Sequence, residues 1–356
     1  MNGFRPGRWR PLLLASCLSL LVGCGDSALE RDLLAYQQRL AEALDQPPPE
    51  PAPVANIGDF PERRQLTLEI PPIREGMLDV FALRGCHIAN LVAERNNQLG
   101  KTAAPSQRWL YELRLWRRLS ACWNAEAADA LAEGDRQRLA RLTDIKTRQL
   151  PLASYNALVS SEEWTGSFSR ASSPLPLDEL SAVDEQLAAL GYLNEAVIHQ
   201  FDRQWTPESG PLEQALATLR DRPLSAELMR ALMLASQRLE EASRLLERAL
   251  ASRHGPDNDR TGADAACSQA TTLPEEGDTL ASLERLETQA LRWFAGMDRL
   301  LDAHVAGSQA FKDYRRQWLD LDSETTPLAS FVRVRDDHLW LRQQWHQRCD
   351  THEDLR

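Results

Sequence analysis

Apolar positions recur at steps of three and four along most of this chain, the spacing that lines one face of a helix. Leu29, Leu33, Tyr36, Leu40 and Leu44 open the pattern. Two longer striped segments follow at 77–99 and 105–123, joined by Gly100-Lys101-Thr102-Ala103-Ala104. That layout predicts an antiparallel αα-hairpin, with Gly100 as the left-handed cap of the first arm and Pro105-Ser106 opening the second. Trp109, Trp116 and Trp123 fall seven apart on the second arm and read as a core seam, because tryptophan is highly buried on average. Shorter helices are expected at 125–133, 135–148 and 153–159. Beyond residue 176 the stripes lengthen. Leu180, Val183, Leu187, Leu190, Val197, Phe201 and Trp205 form one, residues 228–249 a second and 283–300 a third, with a short connector at 211–222 and a last helix from about Leu328. Helices that each bury one face predict a bundle.

The breaks in the pattern divide the chain. Pro47-Pro48-Pro49-Glu50-Pro51-Ala52-Pro53 favours extended polyproline II and would act as a spacer of roughly 25 Å. Leu66-Thr67-Leu68-Glu69-Ile70 alternates and predicts an extended lead-in or a lone strand. Residues 160–176 crowd serine, glycine and proline and mark a candidate boundary, and 253–278 have too few apolar positions to form a packed layer. The fold class expected is therefore all-α, a multi-helix bundle in two packed halves with a short extended lead-in. Its parts are a tether at 24–60, an N-terminal helical part at 61–165 holding the hairpin at 77–123, and a C-terminal bundle at 166–356.

Ahead of these elements, Arg5, Arg8 and Arg10 precede an apolar run at 11–22 that ends in small residues before Cys24. This is the layout of a secretory signal over residues 1–23, too short to span a membrane as a mature helix. Leu21-Val22-Gly23-Cys24 resembles the lipobox of bacterial lipoproteins, which implies cleavage before Cys24, diacylation of its sulfur and anchoring to a membrane by lipid. Gly25 after the cysteine resembles lipoproteins sent on to the outer membrane. The expected location is the periplasmic face of the envelope.

Of the 356 residues, 333 would remain after cleavage, and the net charge would move from −11 to about −14 with the loss of three arginines. An acidic chain of this kind is a poor partner for nucleic acid, whose phosphates need a basic face. Lys101, Lys146 and Lys312 are the only lysines. Once Cys17 leaves with the signal and Cys24 carries lipid, four cysteines remain, with three possible connectivities. Cys86 and Cys122 lie at similar depth on the two hairpin arms, and Cys349 on the last helix could pin the long polar loop through Cys267. The spacing thus favours Cys86–Cys122 and Cys267–Cys349.

Candidate chemistry is sparse. Gly25-Asp26-Ser27-Ala28-Leu29 has the letters of a GDSL-type nucleophile block but no strand before it and no companion blocks downstream. His346 and Cys349 could ligate an ion only with further ligands and a free thiolate, so no metal site is expected. His304 and His338 read as structural. One polar cluster stands out at the hairpin tip, where folding back brings Glu94, Arg95 and Asn96 towards Gln107, Tyr111 and Glu112. It reads either as a helix-end network or as a recognition site.

The segments 73–81, Cys86, 92–101, Pro105-Ser106-Gln107, 110–113 and 335–349 resemble an uncharacterised family of proteobacterial lipoproteins, the domain of unknown function 3080. The resemblance implies a shared fold and lipoprotein sorting, and carries over no catalytic residue and no cofactor. The expected role is a non-enzymatic binding or scaffold protein with an envelope protein or cell-wall partner. The competing readings are an envelope enzyme acting on peptidoglycan or lipid, with Glu94 or Glu112 as acid or base, and an apolar-ligand carrier.

Overall fold

A computed structural model describes residues 27–251, 273 and 277–353. Cys24 and Cys267 lie outside them. The centre of the structure is α11 (Leu224–Ala251), and the stripe read from the sequence is its buried face: Leu228, Leu232, Leu239 and Leu246 are all fully buried. Helix α14 (Pro327–Glu353) makes its most extensive pairing, and α1 (Ala28–Ala43) and α12 (Gly277–Asp302) cover further sides. Around them pack α9 (Ala182–Ile198), α10 (Ser209–Asp221) and α13 (Gln309–Trp318). The hairpin region comprises α3 (Met77–Ala82), α4 (Ala89–Asn96), α5 (Gln98–Thr102) and α6 (Pro105–Trp123), with α6 packed along α7 (Glu133–Val159). Short helices α2 (Arg63–Leu66) and α8 (Glu162–Gly166) fill the joints. The fold is all-α, with no β-strand among the described residues and no described helix long and apolar enough to cross a membrane.

A helix covered on several sides must give its polar residues partners. Arg238 and Glu241 of α11 are 3% and 1% exposed and bond to each other at 2.8 Å. Arg238 also reaches Glu30 of α1 at 2.6 Å and the Ala52 carbonyl at 3.0 Å, while Glu241 accepts from the Ala52 N–H at 2.9 Å and from Gln37 at 2.9 Å. This corrects the expectation of a free spacer at 47–53: the proline segment is strapped to α11, and α1 before it buries Leu29, Leu33, Tyr36 and Leu40 in the main core.

The boundary expected at 160–176 is likewise core. Trp164, Phe168 and Leu175 are at most 2% exposed, and Phe168 stacks on Phe60 at 4.1 Å. The serines there cap and pair, Ser161 capping α8 and Ser167 meeting Ser225 at 2.8 Å.

The first hairpin arm is three helices, not one. The chain breaks at a 3-10 turn, Arg84–Cys86, followed by His87 at φ 55°, and again where Asn97 caps α5. Gly100 takes no left-handed cap. It sits inside α5, where a Cβ would lie 2.1 Å from the Glu94 carbonyl oxygen, so glycine serves close approach here. Cys86 and Cys122 are joined as expected, with Cα atoms 5.2 Å apart across a separation of 36 residues. Closing such a loop stabilises by roughly 4 kcal/mol in the chain-entropy picture. A satellite cluster of Leu83, Ile88, Leu115, Leu119, Leu139 and Leu142 surrounds the bond. Cys349 is buried and disulfide-bonded, and its proposed pairing with Cys267 falls outside the described residues.

Trp109 and Trp116 are buried in the expected seam, whereas Trp123 is 38% exposed with the Arg136 guanidinium 5.9 Å from its ring. The helices expected at 135–148 and 153–159 are one, α7, with Pro151 inside it. Buried residues on both sides of the proline, Leu150 and Ala153 among them, hold the axis together despite the missing N–H.

His338 on α14 is fully buried. Arg342 donates to the Tyr36 hydroxyl at 2.9 Å, which leaves that hydroxyl to donate to His338 Nε2 at 2.6 Å, so the Nδ1 proton faces Ser243 Oγ at 2.9 Å. The ring is held neutral, its pKa pushed down to about 3, first by burial and then by the Arg342 charge. His304 lies edge-on to Tyr155 at 6.0 Å, its ring nitrogens without a hydrogen-bond partner among the described residues, and burial pushes its pKa down to about 4.

Below pH 6.5 the unfolded chain takes up protons that these two folded rings refuse, so their contribution is complete above pH 6.5 and lost as the pH falls towards their folded values. For His338 the loss is roughly 1 kcal/mol per pH unit. Denaturant unfolding at a series of pH values is expected to show a steeper acid loss for the wild type than for His338→Gln. Parallel profiles would contradict the assignment.

Candidate functional site

An extended backbone inside a helical body needs side chains to satisfy its polar groups. Asn156 of α7 serves Leu68 twice, its amide oxygen accepting from the Leu68 N–H and its Nδ2 donating to the Leu68 carbonyl, each at 2.8 Å. Two helical turns earlier on α7, Gln149 donates to the Pro71 carbonyl at 2.7 Å. Leu66, expected in the extended stretch, instead ends α2, and these amides explain why 67–70 is extended without forming a strand. They also fix the lead-in as one wall of a cleft of about 890 Å³. The rest of its lining comes from α3, α4, α6 and α7, with Val80, Val92, Leu115 and Leu142 joining Ile70 and Ile73 of the lead-in; Ile73 and Val80 pack on the cluster that holds Leu115 and Leu142.

Five cations and two carboxylates line this cleft among its apolar side chains: Arg63, Arg95, Lys101, Arg108 and Lys146, with Glu75 and Glu112. Both carboxylates are already neutralised. Glu112 pairs with Lys146 at 2.6 Å, and Glu75 pairs with Arg141 at 2.7 Å and Arg138 at 3.5 Å. Arg63, Arg95, Lys101 and Arg108 make no ion pair among the described residues. Arg95 donates to the Gly100 carbonyl at 2.7 Å and Arg108 to the Lys101 carbonyl at 3.2 Å, contacts that place a guanidinium without cancelling its charge. The Arg95 guanidinium lies 6.0 Å from the Tyr111 ring. Burial, then the Glu112 charge, pushes the Tyr111 phenol up to about 12, with Arg95 opposing, so it remains a neutral hydroxyl.

The cluster expected from the sequence divides. Arg95, Asn96, Tyr111 and Glu112 line the cleft together. Gln107 turns the other way and ties α6 to α10, donating to Ser209 at 2.9 Å and Glu213 at 2.6 Å. Glu94 is exposed and does not line the cleft. Arg63, Lys146 and Glu75, which sequence reasoning missed, come from segments far from the hairpin tip in the chain. Lysine scarcity was the available signal, since two of the three lysines lie here. Among the described residues, no group of three His, Cys, Asp or Glu side chains is placed to hold a metal. The Ser243–His338 contact, a nucleophile–base pair by composition, is sealed in the core, and the other ring nitrogen meets the Tyr36 hydroxyl, with no carboxylate bonded to the ring among the described residues.

A family model described as Protein of unknown function (DUF3080) matches residues 33–352. No curated protein and no solved structure matches the chain.

Removing the Asn156 amide leaves two backbone groups of Leu68 to find new partners. Asn156→Ala is expected to cost about 1–3 kcal/mol in urea unfolding and to accelerate hydrogen exchange at Leu68 while leaving α11 protected. Unchanged exchange at Leu68 would show that the wall is held by other contacts.

Proposed function

Since this chain belongs to the DUF3080 family, we propose for it the role of a lipid-anchored lipoprotein on the periplasmic face of the envelope, sorted to the outer membrane, that binds a ligand in the hairpin cleft and does not catalyse. The observation that carries the reading is the charge inventory of that cleft, where both carboxylates are ion-paired and four cations are not. A site of this volume, lined by apolar and charged side chains together, can hold a small amphiphilic ligand. Acid–base catalysis would need a carboxylate free to exchange a proton at the site. Glu94 is off the cleft and Glu112 is held by Lys146, so neither favours the enzyme reading. A carrier of purely apolar cargo finds less support, because charged side chains line this space.

The Cys86–Cys122 bond suits an oxidising compartment. Only residues 25–27 would separate an acylated Cys24 from α1, a reach of roughly 10 Å, so the anchor would hold the body close to the bilayer.

Mass spectrometry of the protein from its native host is expected to find an acylated Cys24 as the first residue, and Cys24→Ala to release the protein from the membrane fraction. A photocrosslinking residue at Ile73 or Val92 should capture a cell-envelope component that one at Leu291, an exposed position on α12 that does not line the cleft, does not. Equal capture from all three positions, or none from the cleft, would refute the site.

A further inference from the structure

We propose that the cleft receives an anionic membrane phospholipid, its acidic headgroup held by Arg95, Arg108 and Lys101 and its chain lying against the apolar side chains of the lining. The inference rests on the reading of the cleft as a ligand site and names its ligand class. The first ground is chemical partition. Cations without ion pairs line the same cleft as Ile70, Ile73, Val80 and Leu115, so the space offers both charge and apolar contact to a molecule with an acidic group and an apolar chain. Arginine and lysine together suit a phosphate, Arg as a planar fork and Lys as a point charge. On a chain of net charge −11, this is a local reversal of sign.

The second ground is independent of the first. The four most exposed large apolar side chains of the described residues are Leu78 at 84%, Met77 at 83%, Leu99 at 79% and Phe81 at 61%. All four stand on two short helices that border this cleft: α3, which contributes Val80 to its lining, and α5, which contributes Lys101. Arg84 lies 4.9 Å from the Phe81 ring. Apolar side chains beside arginine on a short helix are the composition that enters a bilayer interface, and the lip they form is where a lipid would pass from membrane to cleft. Anchoring at Cys24 would hold the body at the bilayer, where phospholipid is the amphiphile at highest local concentration.

The test uses the full lipidated chain reconstituted in vesicles carrying a trace of phosphatidylglycerol or phosphatidylcholine with a photoreactive acyl chain. The phosphatidylglycerol probe is expected to label peptides spanning 70–73 and 115–119 roughly tenfold more than the phosphatidylcholine probe. The Arg95→Ala, Arg108→Ala double variant should erase that preference. Met77→Ser, Leu78→Ser and Phe81→Ser together, all at exposed positions, should lower labelling by both probes at an unchanged melting temperature. Equal labelling of the cleft by both lipids, indifferent to the arginines, would overturn the anionic specificity and leave the cleft as a ligand site. Labelling confined to peptides outside the cleft would overturn the lipid inference altogether, and capture of a non-lipid component at Ile73 or Val92 would then show the site serving another ligand.

Discussion

A stretch of extended chain within a bundle of helices has no neighbouring strand to take its hydrogen bonds, and the structure depends on how that debt is met. Helix α7 meets it with two amides one heptad apart, Gln149 for Pro71 and Asn156 for Leu68. Because a side-chain amide both donates and accepts, Asn156 mimics a strand partner for one residue and needs no sheet. The lead-in is thereby held as a wall in front of α6 and α7. The Cys86–Cys122 bond fixes the other wall by tying the turn before α4 to the end of α6.

Charge is sorted in the same economical way. In the main core Arg238, Glu241, Glu30 and Gln37 satisfy one another and the backbone of Ala52. At the mouth of the cleft the guanidinium groups of Arg95 and Arg108 lean on carbonyl oxygens. A carbonyl orients a guanidinium but leaves its net charge for something else to neutralise. The contrast between paired cations inside and unpaired cations at the cleft is what separates architecture from recognition here.

The bundle was legible in the sequence because its signal is local. The stripes on α11 and α12 follow helical spacing and are the buried faces, and the seam of Trp109 and Trp116 and the Cys86–Cys122 bridge follow from the hairpin alone. The errors came where tertiary contacts overrule local preference. Prolines at 47–53 suggest a spacer until Ala52 is seen to complete a buried ion network, and Pro151 suggests a helix end until burial on both sides is seen to carry α7 through it. Gly100 looks like a left-handed cap, yet its role is to let α5 touch the carbonyls of α4. At the site, Arg95, Asn96, Tyr111 and Glu112 were readable because they flank one turn, whereas Arg63, Glu75 and Lys146 arrive from three separate segments.

Hydrogen–deuterium exchange of the full lipidated chain in vesicles with and without anionic lipid measures the central claim most directly, since it reports wall and ligand at once. The account predicts slowed exchange at Leu68 in both, with additional protection from the anionic lipid confined to the lead-in and to the cleft-facing parts of α4 and α6. Free exchange at Leu68, or protection by anionic lipid that appears elsewhere and spares these segments, would contradict it.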